Sequence, residues 1–172
     1  MSLSEIKKLR ELTSVGINEC KKALEEAEGN FDKALQILKK RGIHVMEKKR
    51  ERVTSQGLIE AYVHFGGNLG ALVEVNCETD FVARTAAFKK FVKDLSMHVA
   101  AINPRYIKRE DISQDVASTI ENIDDYAKEH CLLEQFFVKD NAITVGDYLR
   151  DVISQTGENI VIKRFARFFL GE

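Results

Sequence analysis

The sequence predicts an α+β fold, with an N-terminal three-helix bundle followed by a core of small antiparallel β-sheet with packed helices. Three observations predict it. Apolar residues recur at helical spacing through the first 42 residues. On either side of Gly66–Asn68 they alternate with period two, which is typical of a β-hairpin. Beyond the hairpin, helical spacing returns in residues 88–102, and a β-rich segment follows at 159–170.

The first three predicted helices are short and end in tight turns. Ser2 and Glu5 have the S-x-x-E spacing of a capping box, which marks the start of the first helix. Gly29 and Gly42 follow the second and third helices, where glycine readily takes the left-handed conformation that ends a helix. The apolar positions are Leu3, Ile6, Leu9 and Leu12, then Ile17, Cys20, Leu24 and Ala27, then Phe31, Ala34, Leu35 and Leu38.

The segment from Met46 to Gln56 is highly charged and has almost no apolar periodicity. Such a segment is typical of a solvated helix or of a linker between domains. An RNA-binding arm is an alternative, because the segment contains the basic run EKKRER. A solvated connector is the favoured interpretation.

The predicted hairpin and the helix that follows it form the centre of the core. The alternating residues are Ile59, Ala61, Val63 and Phe65 before the turn and Leu69, Ala71, Val73 and Val75 after it. The strongest helical pattern of the chain comes next and consists of Phe88, Phe91, Val92, Leu95, Val99 and Ile102. Asn103-Pro104 ends that helix, because the residue before a proline is disfavoured in the helical conformation.

Two further helices and a last strand complete the predicted core. Ser113 starts a weaker helix that carries Val116, Ile120, Ile123 and Ala127 on one face. Thr144 caps another, with Tyr148, Leu149, Val152 and Ile153, and Gly157 ends it. The segment 159–170 could then add to the hairpin as a third strand.

Composition and charge limit the classes of protein to which the chain can belong. The 172 residues are 44% hydrophobic and 31% charged, an ordinary balance for a soluble domain, with no apolar run near the length of a membrane span. Cys20, Cys77 and Cys131 lie far apart and no secretory signal precedes them, which favours reduced thiols and a cytoplasmic location. The net charge of −1 divides into +4 for residues 1–54 and −5 for the remainder. Nucleic-acid binders usually show a stronger basic bias.

The sequence has no constellation typical of an enzyme. It contains neither a GxxxxGK[ST] phosphate-binding motif nor an HExxH zinc motif. The glycines Gly66, Gly67 and Gly70 precede a strand instead of a helix, so they fit a hairpin turn. The histidines lie in different predicted elements. We therefore predict no catalytic residue, no metal site and no cofactor.

Two stretches are unusual in what they could present to a partner. In residues 9–24, Val15 and Ile17 flank Gly16 in a turn, where they could form either a hydrophobic staple or an apolar docking knob. In residues 76–84, a strand end leads into Thr79, Asp80, Phe81 and Val82. The pattern alone favours Asp80 as a helix N-cap and Phe81 as a core residue. However, the helix from Phe88 onward already supplies a complete apolar face, so Phe81 could also leave the core.

These two stretches, LRELTSVGINECKKAL at 9–24 and EVNCETDFVAR at 74–84, resemble the signatures of bacterial elongation factor Ts. The similarity continues through NPRY, CLLEQFFVKD and GENIVIKRFARF, so it covers essentially the whole chain. It implies a ubiquitin-associated-like module at 1–45, a charged connector at 46–56 and an elongation factor Ts core, or dimerisation domain, at 57–172.

The resemblance also implies a function. Members of this family are guanine-nucleotide exchange factors for elongation factor Tu. In them the turn of the first module, here Leu12, Val15 and Ile17, docks on the GTPase domain of Tu. The TDFV loop, here Thr79, Asp80, Phe81 and Val82, enters near the Mg²⁺ of the bound nucleotide, and its ring displaces switch elements. The implied partner is Tu, with no direct contact to nucleic acid or membrane.

The sequence departs from many relatives in two respects. It lacks a second half of the core and a long coiled-coil insertion, so we expect a homodimer to rebuild the Tu-binding surface, giving a 2:2 complex. The last strand is a candidate for the contact, and Ala166 stands where some short members carry a cysteine. An RNA-binding accessory protein that uses the basic N-terminal half remains the alternative function.

Overall fold

The computed structural model describes residues 3–13, 17–38 and 51–172. The chain divides into two units, one formed by Met1–Val53 with Arg150–Asn159 and the other by Thr54–Leu149 with Ile160–Glu172. Helices and small antiparallel sheets are both present, so the predicted α+β class is confirmed. The predicted boundaries at residues 45 and 56 stay predictions, since residues 39–50, with most of the basic run, lie outside the described residues.

Three helices occupy residues 3–38 of the first unit, as the spacing predicts. They are α1 (Leu3–Thr13), α2 (Ile17–Glu26) and α3 (residues 31–38). Gly29 has φ +81° and donates its N–H to Leu24 O at 2.8 Å, which confirms that it ends α2. Ser2 and Gly42 lie outside the described residues. The buried core consists of Ile6, Leu9, Cys20, Ala23, Leu24, Ala27, Ala34 and Leu38.

The predicted hairpin and its third strand form one antiparallel sheet in the second unit. The strands β1 (Gln56–Val63), β2 (Leu69–Cys77) and β5 (Ile160–Phe169) have the order β1-β2-β5. Only glycine fits at position 57 of this sheet, because a Cβ there would lie 2.2 Å from Val75 O. Both the hairpin and the addition of the last strand are confirmed.

The long helix α5 (Ala86–Ile102) covers one face of this sheet. Thr85 Oγ1 accepts the N–H of Phe88 at 3.3 Å at its start, and Asn103 ends it in the left-handed conformation with φ 57°. Its predicted apolar face is confirmed at five positions, whereas Ile102, the last residue of the helix, is 42% exposed. The residues buried between helix and sheet are Phe88, Phe91, Val92, Leu95 and Val99 from α5, Ala71, Val73, Val75 and Cys77 from β2, and Ile160 and Ile162 from β5.

One extra residue in β5 changes the side to which its side chains point. Glu74 pairs with Arg164 and the next residue, Val75, pairs with Ile162, so Lys163 bulges out of the ladder. Beyond the bulge, Arg167 points inward and donates its Nε–H to Ala100 O of α5 at 3.0 Å.

The structure contradicts the single helix predicted from Ser113. Two helices are present instead, α6 (Gln114–Ala117), which Ser113 caps, and α7 (Ile123–His130). The hydroxyl groups of Ser118 and Thr119 donate to carbonyl oxygens three residues earlier and so compete with helix propagation. Asn122 Oδ1 then accepts two N–H groups and starts a new helix.

A second small sheet was not predicted. It pairs β3 (Phe136–Phe137) with β4 (Asp140–Thr144). The helix α8 (Val145–Thr156) follows, and Thr144 Oγ1 accepts the N–H of Asp147 at 3.0 Å, which confirms the predicted cap. Gly157, with φ 75°, ends α8 as predicted.

Two buried polar side chains of α5 bind the segment that contains β3. His98 is fully buried, and its Nδ1 accepts the N–H of Val138 at 3.2 Å while its Nε2 bonds Gln135 Oε1 at 2.9 Å. Since Nδ1 accepts, the proton lies on Nε2. Burial lowers the pKa of His98, against the smaller raising effect of the Gln135 bond, so the ring is neutral near pH 7.

Asp94, one turn earlier on α5, is only 3% exposed and accepts three hydrogen bonds. They come from Lys139 Nζ at 2.6 Å, Lys90 Nζ at 3.0 Å and Tyr148 OH at 3.0 Å. Burial is the largest single influence on the pKa of Asp94 and raises it. The bonds from Lys139, Lys90 and Tyr148 together outweigh burial and hold the pKa below its ordinary value. The carboxylate thus fastens Lys139 and Tyr148 to α5.

None of the three cysteines, which are all described and buried, forms a disulfide. Among the residues that the structure describes, no helix is long and apolar enough to cross a membrane.

Candidate functional site

The corner between β2 and α5 carries the predicted TDFV residues. β2 ends at Cys77, and a one-turn helix α4 (Asp80–Ala83) follows. Arg84 ends α4, and the next residue, Thr85, already caps α5. The chain therefore turns from sheet to long helix within a few residues, so the position of the corner is set by both elements.

Hydrogen bonds fix the backbone of this corner from both sides. Thr79 Oγ1 accepts the N–H of Val82 at 3.4 Å, which caps α4. Cys77 Sγ donates to Thr79 O at 3.1 Å, and Thr85 Oγ1 donates to Val82 O at 2.8 Å. The strand end, the short helix and the long helix are thereby joined by side-chain bonds to backbone atoms.

Phe81 projects from the corner, with 79% of its surface exposed. The burial favoured by the sequence pattern alone is therefore wrong. Successive helical residues point about 100° apart, and in this single turn Val82 and Ala83 take the inward positions and are buried. Because α5 already fills the core beneath the sheet, the ring has no place there.

Asp80 is the first helical residue of α4, and the N-cap is Thr79. The predicted capping role of Asp80 is therefore wrong, because the helix starts one residue earlier than the pattern suggested. Its carboxylate Oδ2 instead lies 3.0 Å from Arg84 Nη2, and the Asp80 side chain is half-buried whereas that of Arg84 is exposed. Arg84 was missed at the sequence level, although its i,i+4 spacing from Asp80 is the spacing of a helical ion pair.

The acidic side chain of the corner has no metal-binding companions. Among the described residues, no group of three or more His, Cys, Asp or Glu side chains could hold a metal ion. Asp80 therefore stands at the corner as one half of an ion pair.

The predicted docking residues of the first module lie in the other unit of the chain. Leu12, near the end of α1, is 59% exposed, and Ile17, the first residue of α2, is 51% exposed. Both lie outside the buried core of the module. Val15 lies outside the described residues.

A second apolar surface covers the face of the β1-β2-β5 sheet opposite α5. Leu72 lies at its centre and is flanked in register by Ala61 of β1 and Ala166 of β5. An ion pair crosses this face between Glu74 Oε2 and Arg164 Nε at 2.6 Å. We call it the outer sheet face, and its exposed apolar residues are Ile59, Ala61, Val63, Leu72, Val161, Ala166 and Phe168.

The alternation of Ile59, Ala61 and Val63 predicts a strand but does not by itself reveal this surface. The sequence does indicate an apolar outer face, because β1 and β2 carry apolar residues at neighbouring positions, such as Leu58 with Ile59 and Leu72 with Val73. A strand of a sheet with one solvated face more often alternates apolar with polar residues.

The sequence model of the family described as "Elongation factor TS" matches residues 3–125, which is well over half of the chain. The chain belongs to the elongation factor Ts family. The resemblance found in the sequence is thereby confirmed, and the matched region contains both the first module and the TDFV corner.

Relatives within the elongation factor Ts family cover the chain completely. Elongation factor Ts from Alkaliphilus oremlandii is 46% identical over 195 aligned residues, which include 100% of this chain and 90% of the relative. Elongation factor Ts from Caldanaerobacter subterraneus is 45% identical, with 100% and 98% covered, and that from Thermotoga neapolitana is 44% identical, with 100% and 98% covered. Membership of the family places the chain among the elongation factors of protein biosynthesis.

Proposed function

We propose that this protein is a guanine-nucleotide exchange factor for elongation factor Tu and that the TDFV corner is its active surface. The observation that carries the proposal is the exposed ring of Phe81 on a hydrogen-bonded corner, in a chain of the elongation factor Ts family. An apolar ring held away from the core by fixed backbone is suited to insertion into another protein. Aromatic anchors of this kind often contribute most of the energy of an interface.

The chemistry of the partner explains why such an insertion releases GDP. Mg²⁺ requires nearly ideal octahedral geometry, and in a GTPase it bridges the phosphates of the nucleotide. A ring that shifts the residues around the metal weakens its coordination. The phosphate charge then lacks its counter-ion, and GDP dissociates faster. By linkage, GDP weakens the binding of the exchange factor by the same factor.

The exposed residues of the first module supply a second contact in this proposal. Leu12 and Ile17, with Val15 between them in sequence, dock on the GTPase domain of Tu. Their exposure supports this role, because apolar side chains outside the core of a small module are available to a partner.

The release of labelled GDP from Tu tests the proposal. We expect the wild-type protein to accelerate release. In Phe81→Ala the acceleration should be about 30-fold smaller, as for truncation of an interface hot spot worth about 2 kcal/mol. Phe65→Ala is the matched control, because Phe65 is 98% exposed at the opposite end of the sheet. A wild-type protein that leaves the release rate unchanged would refute the proposed function.

We further propose that two copies of the chain associate through the outer sheet face to form the 2:2 complex with Tu. The face is apolar, and both β1 and β5 are edge strands of their sheet. Ala166 and Phe168 bring the last strand into the contact, as expected from the sequence. A sheet face of this composition is normally covered by another layer.

Sedimentation at micromolar concentration tests the dimer. We expect the wild-type protein to sediment as a dimer and Leu72→Lys to sediment as a monomer, because the substitution places an unpaired charge at the centre of the contact. Leu3→Lys, at an exposed position of α1, should remain dimeric. Dimers of Leu72→Lys as stable as those of the wild type would exclude this surface.

A further inference from the structure

Arg84 is an exposed cation at the corner that carries Phe81. Its backbone N–H donates to Asp80 O at 3.1 Å, and it follows the buried residues Val82 and Ala83 directly. Its side chain is 76% exposed and extends over the surface to Asp80. It is the only Lys or Arg between residues 76 and 85. The backbone of Arg84 is therefore fixed by the same bonds that fix Phe81, whereas its guanidinium group is open to solvent.

The ion pair with Asp80 is weak enough to be exchanged for another. Exposed i,i+4 pairs of this kind favour the paired state by only about twofold. A guanidinium group also carries a planar set of donors that matches a carboxylate, and it is less strongly hydrated than an ammonium group. Arg84 can thus leave Asp80 at little cost when a carboxylate in a drier environment becomes available.

The proposed partner offers such a carboxylate. GTPases of this class hold Mg²⁺ with an aspartate in addition to a P-loop hydroxyl group. Once the metal is displaced, that aspartate has lost its counter-charge within a protein–protein interface, where an unpaired charge is strongly unfavourable. A cation brought in with Phe81 would lower the free energy of the metal-free state and would repel the returning metal.

We propose that Arg84 is a charge-compensating residue of the exchange reaction, whose guanidinium group leaves Asp80 and pairs with the Mg²⁺-binding carboxylate of the GTPase as the metal departs. This inference rests on the proposed function. It assigns two separate tasks to one corner, since Phe81 displaces the metal and Arg84 compensates the charge that the metal leaves behind.

The dependence of GDP release on Mg²⁺ distinguishes this role from simple docking. At millimolar free Mg²⁺ we expect Arg84→Ala to reduce the maximal release rate about tenfold or more, with little change in the half-saturating concentration of the exchange factor. In excess EDTA there is no metal to displace, so Arg84→Ala and wild type should release GDP at equal rates. Arg84→Lys keeps the charge without the planar donors and should restore most of the lost rate.

One control variant and two contrary outcomes complete the experiment. Lys89→Ala removes an exposed cation from the first turn of α5 and should behave as wild type under both conditions. An equal loss of rate for Arg84→Ala with and without Mg²⁺ would overturn the inference, as would no loss at all while the wild type is active. A wild-type protein that fails to accelerate GDP release refutes the proposed function itself and is thereby distinguished from failure of the inference alone.

Discussion

Replacing Asp94 by alanine is expected to lower the free energy of unfolding by about 3 kcal/mol, the size of effect seen when one partner of a buried ion pair is removed. The carboxylate is nearly inaccessible to solvent and accepts hydrogen bonds from Lys139, Lys90 and Tyr148. Without it, the Tyr148 hydroxyl group and the Lys139 ammonium group lose their common acceptor. Urea unfolding followed by circular dichroism, at one fixed protein concentration, measures the difference.

Asp115→Ala is the matched control for Asp94→Ala. Asp115 is exposed on α6, and surface substitutions of this kind usually change stability by less than about 0.5 kcal/mol. If Asp94→Ala unfolds at the same urea concentration as this control, the three hydrogen bonds do not contribute to stability and the fastening of Lys139 and Tyr148 to α5 does not stabilise the fold.

The stability of the protein is expected to fall as the pH is lowered below about 6.5, the ordinary pKa of histidine, because His98 is buried in its neutral form. Burial lowers the pKa of His98 in the folded state. Below the unfolded-state pKa the unfolded chain therefore binds more protons, and unfolding becomes easier by up to about 1.4 kcal/mol per pH unit until the folded-state pKa is reached. Protonation of Nδ1 would also remove the acceptor for the N–H of Val138.

The His98→Gln variant separates this effect from other titrations. It lacks the ionisable group, so its urea midpoint should depend less on pH between about 5 and 7 than that of the wild type. The depressed pKa of Asp94 acts in the same direction but at lower pH, below about 3.9, where the unfolded carboxyl group takes up its proton. An identical pH dependence in His98→Gln and wild type would show that His98 does not titrate in this range.

The elements that sequence predicts well are those with long local periodicity. The helix α5 repeats its apolar residues over many turns and ends at Asn103-Pro104, so its face and its end could both be predicted. The hairpin and α8 likewise carry their own turn or cap, at Gly66–Asn68 and Thr144. In these segments the local signals agree with the tertiary structure.

The exposure of Phe81 could not be predicted from its own neighbourhood. Whether a ring lies inside depends on whether other side chains have already filled the core, and here α5 does so. The family resemblance points to Thr79, Asp80, Phe81 and Val82 as partner-binding residues, which stays a prediction, whereas the exposure of Phe81 follows from the burial of Val82 and Ala83 in the same turn. The short strand β3 and the break at Asn122 were missed because each depends on a few side-chain hydrogen bonds and not on a repeated pattern.

The bulge at Lys163 changes which residues of β5 face α5. Before it, even-numbered residues such as Ile160 and Ile162 face α5, whereas after it the odd-numbered Phe165 and Arg167 do so. Removal of Lys163 would keep every later side chain on its present side, because the regular ladder then restores the same parity. A regular ladder that kept Lys163 in register would instead turn Phe168 toward α5 and Arg167 toward solvent. The bulge at Lys163 therefore sets which side chains in the later part of the strand face α5 and which face solvent.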